Sequence, residues 1–150
     1  MTDKQYIFSS IFVIANKLQI IGDREIEELS FKQWFLLVAI KNISKENPSL
    51  TDIADFVGTS RQNVKKMLVI LEKKGYVVLR TLPDNQKSVC TLLTKKCVEH
   101  LDKFDKLGDE LLEKVFTDIS PAQIQLISET FKMLFGNIDK LLKSSLEVHE

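Results

Sequence analysis

The stretch LTDIADFVGTSRQNVKKMLVILEKKG, residues 50–75, holds two short apolar patterns separated by one glycine. Just before it, Ser49 and Asp52 have the spacing of a capping box, in which each side chain satisfies the other residue's backbone N–H. Leu50, Ile53, Ala54 and Val57 then recur at helical spacing and fall on one side of a short helix. Gly58 is placed to end that helix in the left-handed region, where a side chain would be strained. Thr59 or Ser60 can cap the next helix, and Thr59 with Gln62 has the box spacing. This second helix runs to about Lys74 and stops at Gly75. Two short helices joined by a tight turn make a helix-turn-helix candidate.

At 100° per residue, the second helix separates into two faces. Val64, Met67, Leu68 and Leu71 share one arc and should anchor it. Gln62, Lys65, Lys66 and Val69 fall broadly opposite, with Arg61 and Asn63 at the two edges. That outer set holds an amide able to pair with a base edge, amines suited to phosphate, and an aliphatic group able to meet a thymine methyl.

Outward from this unit the period changes. YVVLRTL (76–82) and KSVCTLL (87–93) are β-branched runs around Pro83, Asp84, Asn85 and Gln86, and read as an antiparallel hairpin. Thr94 opens a long helical region to about Phe116, and Ser120-Pro121 with Gln123 opens another over about 121–146. Upstream, Ser30 and Gln33 form a further box before a helix from Phe31 to about Ser44, whose Trp34, Leu37, Val38 and Ile40 belong to the core. Residues 5–21 carry Ile7, Ile11, Ile14, Ala15 and Leu18, a face broad enough for burial against more than one neighbour. The last helix carries a seam of Ile124, Ile127, Phe131, Leu134, Ile138, Leu141 and Leu142. The terminal helices have more apolar surface than one small winged core needs, which points to a homodimer interface. The bland alternative is a monomer with those helices packed back on its core. The fold class is therefore mainly α, with a small two- or three-stranded β wing.

Charge supports the same placement. The 150 residues carry 21 basic and 21 acidic side chains, yet residues 60–97 hold nine basic residues against Glu72 and Asp84, a local +7. Residues 98–150 hold six lysines against eleven acids. A basic middle and an acidic tail are what a localised polyanion footprint requires. No apolar run is long enough for a membrane span, the N-terminus lacks a signal-peptide pattern, and two cysteines make no disulfide framework; a cytoplasmic setting is favoured.

Other chemistry finds little support. Cys97 and His100 have i,i+3 spacing on a helix but no evident third ligand, and His149 lies far away, so no metal and no cofactor is expected. Cys90 and Cys97 read as small core side chains; Lys95 and Lys96 would lower a thiol pKa only if they converged on it. HExxH, GxSxG and a phosphate-cradling glycine loop are all absent, and scattered Ser, His and Asp residues have no triad spacing, which argues against an enzyme.

LSFKQWFLLVAI (29–40), LTDIADFVGTSRQNVKKMLVILEKKGYVVLR (50–80) and PDNQKSVCTLLTKK (83–96), in this order and spacing, resemble the MarR family of winged helix-turn-helix transcriptional regulators. The resemblance covers nearly the whole chain. It implies one MarR-like domain over 1–150, with a winged helix-turn-helix core at 30–96 and helical dimerisation regions at 1–29 and 97–150. It implies a homodimer on a pseudo-palindromic double-stranded operator, commonly a repressor released by a small aromatic or phenolic effector or an oxidant. The helix at 60–74 would enter the major groove and the 83–87 tip would approach the minor groove. Ser60, Arg61, Gln62, Asn63, Lys65 and Lys66 match the family's reading region, and Arg80, Asn85 and Lys87 fall on the wing. Where the family commonly has Asp-Arg-Arg, this chain has Asn85-Gln86-Lys87, which loses arginine's planar fork and predicts a weaker wing. The alternative is a winged-helix adaptor or small-molecule-binding dimer that does not bind DNA.

Overall fold

The computed structural model describes the backbone of residues 1–82 and 85–147 and the side chains of 1–81 and 89–144. Among the described residues the order is α1 (Asp3–Glu25), α2 (Phe31–Asn42), α3 (Leu50–Val57), α4 (Arg61–Lys73), β1 (Val77–Leu82), β2 (Asn85–Leu93), α5 (Lys95–Val115) and α6 (Pro121–Glu147). The chain divides into two compact units, Met1–Leu107 and Gly108–Glu150, with the boundary inside α5. No helix among the described residues is long and apolar enough to cross a membrane.

In the first unit the helices start where side chains can satisfy the free N–H groups of a first turn. Ser30 and Gln33 cap α2, and Ser49 and Asp52 cap α3, each through the reciprocal box that the spacing implies. At α4 the choice left open between Thr59 and Ser60 falls on Ser60, whose Oγ accepts from Asn63 N at 3.2 Å. Thr59 instead follows Gly58, at φ 73°, and its Oγ1 accepts a long 3.4 Å bond from Asn63 Nδ2. The turn between α3 and α4 is thus one left-handed glycine followed by two hydroxyl residues, which fixes the angle at which α4 leaves.

The core of this unit is assembled by α2, α3, α4, β1 and α5. Leu36, Leu37, Ile53, Val64, Leu68 and Leu71 are all fully buried in it. Leu37 and Ile40 are buried as the helical period requires, while Trp34 and Val38 are half-buried at its margin. β1 and β2 pair antiparallel from Val77↔Leu93 to Thr81↔Val89, with a register shift between Thr81 and Leu82. Strand alternation sends Val77 and Leu79 inward and Val78 and Arg80 out. A third strand is reduced to one bridge, Ser49↔Cys90, beside which Thr91 N donates to Pro48 O at 3.1 Å.

α1 leaves most of its apolar face open within one chain. Ile7, Ile11 and Ile14 are 50%, 39% and 54% exposed, so the broad apolar face is not covered within the chain. Only Gly22 is buried on this helix. A Cβ built there would run into the Phe31 ring, and Asp23 Oδ1 accepts from Phe31 N at 2.6 Å. α1 therefore meets α2 through its last turns, and the rest of its apolar face stands free.

In the second unit, Ser120 and Gln123 cap α6 as their spacing implies. The seam along α6 is exposed, with only Leu134 half-buried, against the expectation for a helix packed on its own core. Phe116, Ile124, Ile127, Phe131 and Phe135, with Ser128 and Lys132, line an open groove of ≈ 360 Å³ on this unit.

Candidate nucleic-acid interface

α4 is held from behind and open in front. Val64, Leu68 and Leu71 lie at zero exposure, with Met67 half-buried against the same core. Arg61, Gln62, Asn63, Lys65, Lys66 and Val69 are exposed. The anchoring and outer faces inferred from 100° steps are therefore the observed ones. Ser60 uses its oxygen lone pair to cap the helix, which leaves its hydroxyl proton free to donate outward.

The basic window sorts into tied and free cations. Lys74 Nζ donates to Glu28 O at 2.6 Å, and Lys96 Nζ donates to Lys74 O at 3.0 Å. Lys95 pairs with Glu99 at 3.5 Å. Arg61, Lys65, Lys66, Lys73 and Arg80 form no hydrogen bond or ion pair with the described residues. Four of those five lie on α4, and Arg80 projects from the outer face of β1. Thus the +7 of the sequence window is partly structural, and among the described residues its unpaired part lies on α4 and the adjacent strand. Asn85 and Lys87 have side chains outside the described residues, as does the tip at Pro83-Asp84.

Behind α4, a polar node ties its C-terminal end to the α1–α2 loop and to α5. Tyr76, fully buried, donates its hydroxyl proton to Glu28 Oε2 at 2.7 Å. That single proton is thereby committed, so the 3.4 Å contact between Tyr76 Oη and His100 Nδ1 has the imidazole as donor. His100 Nε2 then carries a buried lone pair without a partner. Burial pushes the His100 pKa down; Glu28 opposes this, and Lys103 and Lys96 reinforce it. Glu28 is held below the usual carboxylate range by the Tyr76 hydroxyl and by Lys96, whose Nζ lies 3.6 Å away. Lys96 also stands over the Tyr76 ring at 4.4 Å. Glu28 occupies the left-handed region at φ 68°, and these bonds to its carbonyl and carboxylate hold it there.

The surroundings of Cys97 bear on its thiol and on its spacing from His100. Its thiol is fully buried, and burial pushes its pKa up to about 11 against a weaker pull from Lys41. Lys95 and Lys96, expected to activate it if they converged, are engaged with Glu99 and with Lys74 and Tyr76 instead. His100, three residues on, turns its Nδ1 to Tyr76 rather than to a shared ligand position. Among the described residues no three His, Cys, Asp or Glu side chains come together as a metal site. Cys90 is buried in β2.

Sequence reasoning missed Glu28, Tyr76, Glu72 and Lys96 as fixing residues. The stretch LEKKG at 71–75, part of the resemblance, lies beside that region, and nothing in it named Glu28 as the partner of Tyr76.

Known proteins share this arrangement. Residues 29–89 match the model of the MarR family. The fold is similar to that of a MarR/EmrR family transcriptional regulator from Acinetobacter sp. ADP1, at TM-score 0.81 and 17% identity, covering 93% of this chain and 99% of that one. It is similar to S. aureus MepR in its DNA complex, at TM-score 0.79 and 15% identity, covering 92% and 99%. It is also similar to Bordetella bronchiseptica BpsR, whose DNA binding is regulated by 6-hydroxynicotinic acid, at TM-score 0.76 and 14% identity, covering 89% and 96%. No curated protein sequence matches the chain. The segment 29–89, which holds α2, α3, α4, β1 and most of β2, is thus similar to the winged unit of the MarR family, and the fold of the chain is that of MarR-type regulators.

Proposed function

We propose that the chain is a sequence-specific regulator that binds a pseudo-palindromic double-stranded operator as a homodimer, acting as a ligand-responsive repressor in the cytoplasm. The observation that carries this reading is α4: a helix anchored through three fully buried residues, with Arg61, Gln62, Lys65 and Lys66 exposed and unpaired on its outer side. The helix enters the major groove, Gln62 and Asn63 meeting base edges and Ser60, Arg61, Lys65 and Lys66 meeting phosphates. Arg80 and the Asn85-Gln86-Lys87 wing reach the neighbouring backbone and minor groove. Residues 30–96 are the DNA-binding core, and 1–29 and 97–150 join two copies. MepR is similar in fold and was solved with DNA, and BpsR is regulated by a small aromatic acid; both support this reading by analogy. The exposed apolar faces of α1 and of α6 supply surface for a second copy to cover.

An electrophoretic shift with the gene's own upstream DNA tests the proposal. Each phosphate contact contributes about −0.9 to the slope of log affinity against log salt. Lys65→Ala and Lys66→Ala should flatten that slope, each by about one contact's worth. Gln62→Ala should change the preference among operator variants by about 1–3 kcal/mol and leave the slope alone. No binding at low salt would leave a winged-helix adaptor as the better description, and three variants that bind as the wild type does would contradict the proposed reading face.

A further inference from the structure

Glu72 is an acid in the wrong place for a helix that binds a polyanion. It is the only acidic residue of α4, and one of two in the +7 window. Seven residues separate it from Lys65, which puts the two almost in line on the helix surface, about 10 Å apart along the axis. At that range its charge opposes DNA without being fully screened. A purely electrostatic design would place a neutral or basic residue there.

Its contact supplies the reason. The Glu72 carboxylate accepts from Leu79 N at 2.8 Å. Leu79 lies in β1, opposite Thr91 of β2, and its side chain packs against the core of the first unit. The next residue, Arg80, is exposed on the outer face and has no hydrogen bond or ion pair among the described residues. The carboxylate therefore pins the strand that leads into the wing to the helix that carries the reading face.

We propose that Glu72 is a positioning residue for DNA binding: by holding Leu79 N it sets Arg80 and the wing at a fixed angle to α4, so that both meet one operator together. This rests on the DNA-binding reading above. The brace outweighs the repulsion because a charge-assisted hydrogen bond of this length acts at contact distance, whereas the opposing charge acts across solvent.

Two substitutions separate the brace from the charge. Glu72→Gln removes the charge and keeps an acceptor oxygen of the same reach; Glu72→Ala removes both. Affinity and salt slope are measured for the gene's upstream duplex and for a mixed-sequence duplex of equal length, alongside the exchange rate of the Leu79 amide. The brace predicts that E72A loses about three- to tenfold in affinity for the upstream duplex, the equivalent of one net hydrogen bond. Its slope flattens by about one contact's worth as Arg80 falls out of register. The Leu79 amide exchanges faster in E72A, while E72Q keeps amide protection and binds as well as the wild type or more tightly. If both variants bind more tightly with unchanged slope, Glu72 is only a repulsive charge and the proposal is overturned. Unchanged Leu79 exchange in E72A overturns it equally. If the wild type binds neither duplex at low salt, the DNA-binding reading fails and takes this role with it, a result told apart by Leu79 exchange that still depends on Glu72.

Discussion

α4 and α6 both carry apolar side chains at helical spacing, and the chain treats them in opposite ways. In α4, Val64, Leu68 and Leu71 have no exposed surface. In α6, Phe131, Phe135 and Ile138 are 41%, 64% and 50% exposed, and none of its described residues is buried. α1 behaves like α6 over most of its length. α4 is thus held by its own chain, and the stability of its outer face is a property of the monomer. The apolar surface of α6 is free to drive association, since burying one such side chain contributes about 1.5–3 kcal/mol. An identical periodic signal has been used once to fold a unit and once to leave a surface.

The contrast is open to attack from both sides. Leu68→Ala should have the largest effect, lowering the unfolding free energy by about 2–5 kcal/mol in a denaturant titration. A loss under about 1 kcal/mol would mean that α4 is not anchored as described. Phe135→Ala on α6 should cost self-association about 1–3 kcal/mol, read by sedimentation as a rise in the dimer dissociation constant. It should do so without changing the unfolding transition of the dissociated chain. A lowered transition with unaltered association would place Phe135 in a monomer core and erase the difference.

The smallest effect sharpens what burial means at the polar node behind α4. His100 is kept below its ordinary pKa by burial, with Glu28 opposing. The unfolded chain therefore takes up a proton near pH 6.5, before the folded chain does. The contribution is complete above about pH 6.5 and is lost as the pH falls toward the lower folded value. The thermal midpoint should decline across that interval in the wild type and less so in His100→Phe. Equal declines in the two proteins would show that the imidazole is not buried as a neutral group.

Much of the candidate interface was legible before any coordinates. The Ser49–Asp52 and Ser30–Gln33 boxes, the turn at Gly58 and the two faces of α4 follow from local spacing, because caps, turns and helical faces are set within a few residues. Thr59 against Ser60 was not decidable, since both hydroxyls stand within reach of a first turn and the backbone angle chooses between them. What covers the apolar face of α1 was not legible for a different cause: periodicity reports that a face is apolar and says nothing of what covers it. Asn85 and Lys87, named from the resemblance, have side chains outside the described residues.

By itself the sequence determined where helices begin and end, which side of α4 is anchored, and that basic residues gather at 60–97. Only the tertiary structure decided which of those cations are free. Lys74 is consumed by the Glu28 carbonyl 46 positions away and Lys96 by a helix-end carbonyl 22 positions away, while Lys65 and Lys66 form no hydrogen bond or ion pair with the described residues. It also turned Glu72 from an unfavourable charge into a brace. The physical reason is range: capping and amphipathicity are written in neighbours, whereas the partner of a charged side chain is whichever group the folded backbone brings within about 3 Å.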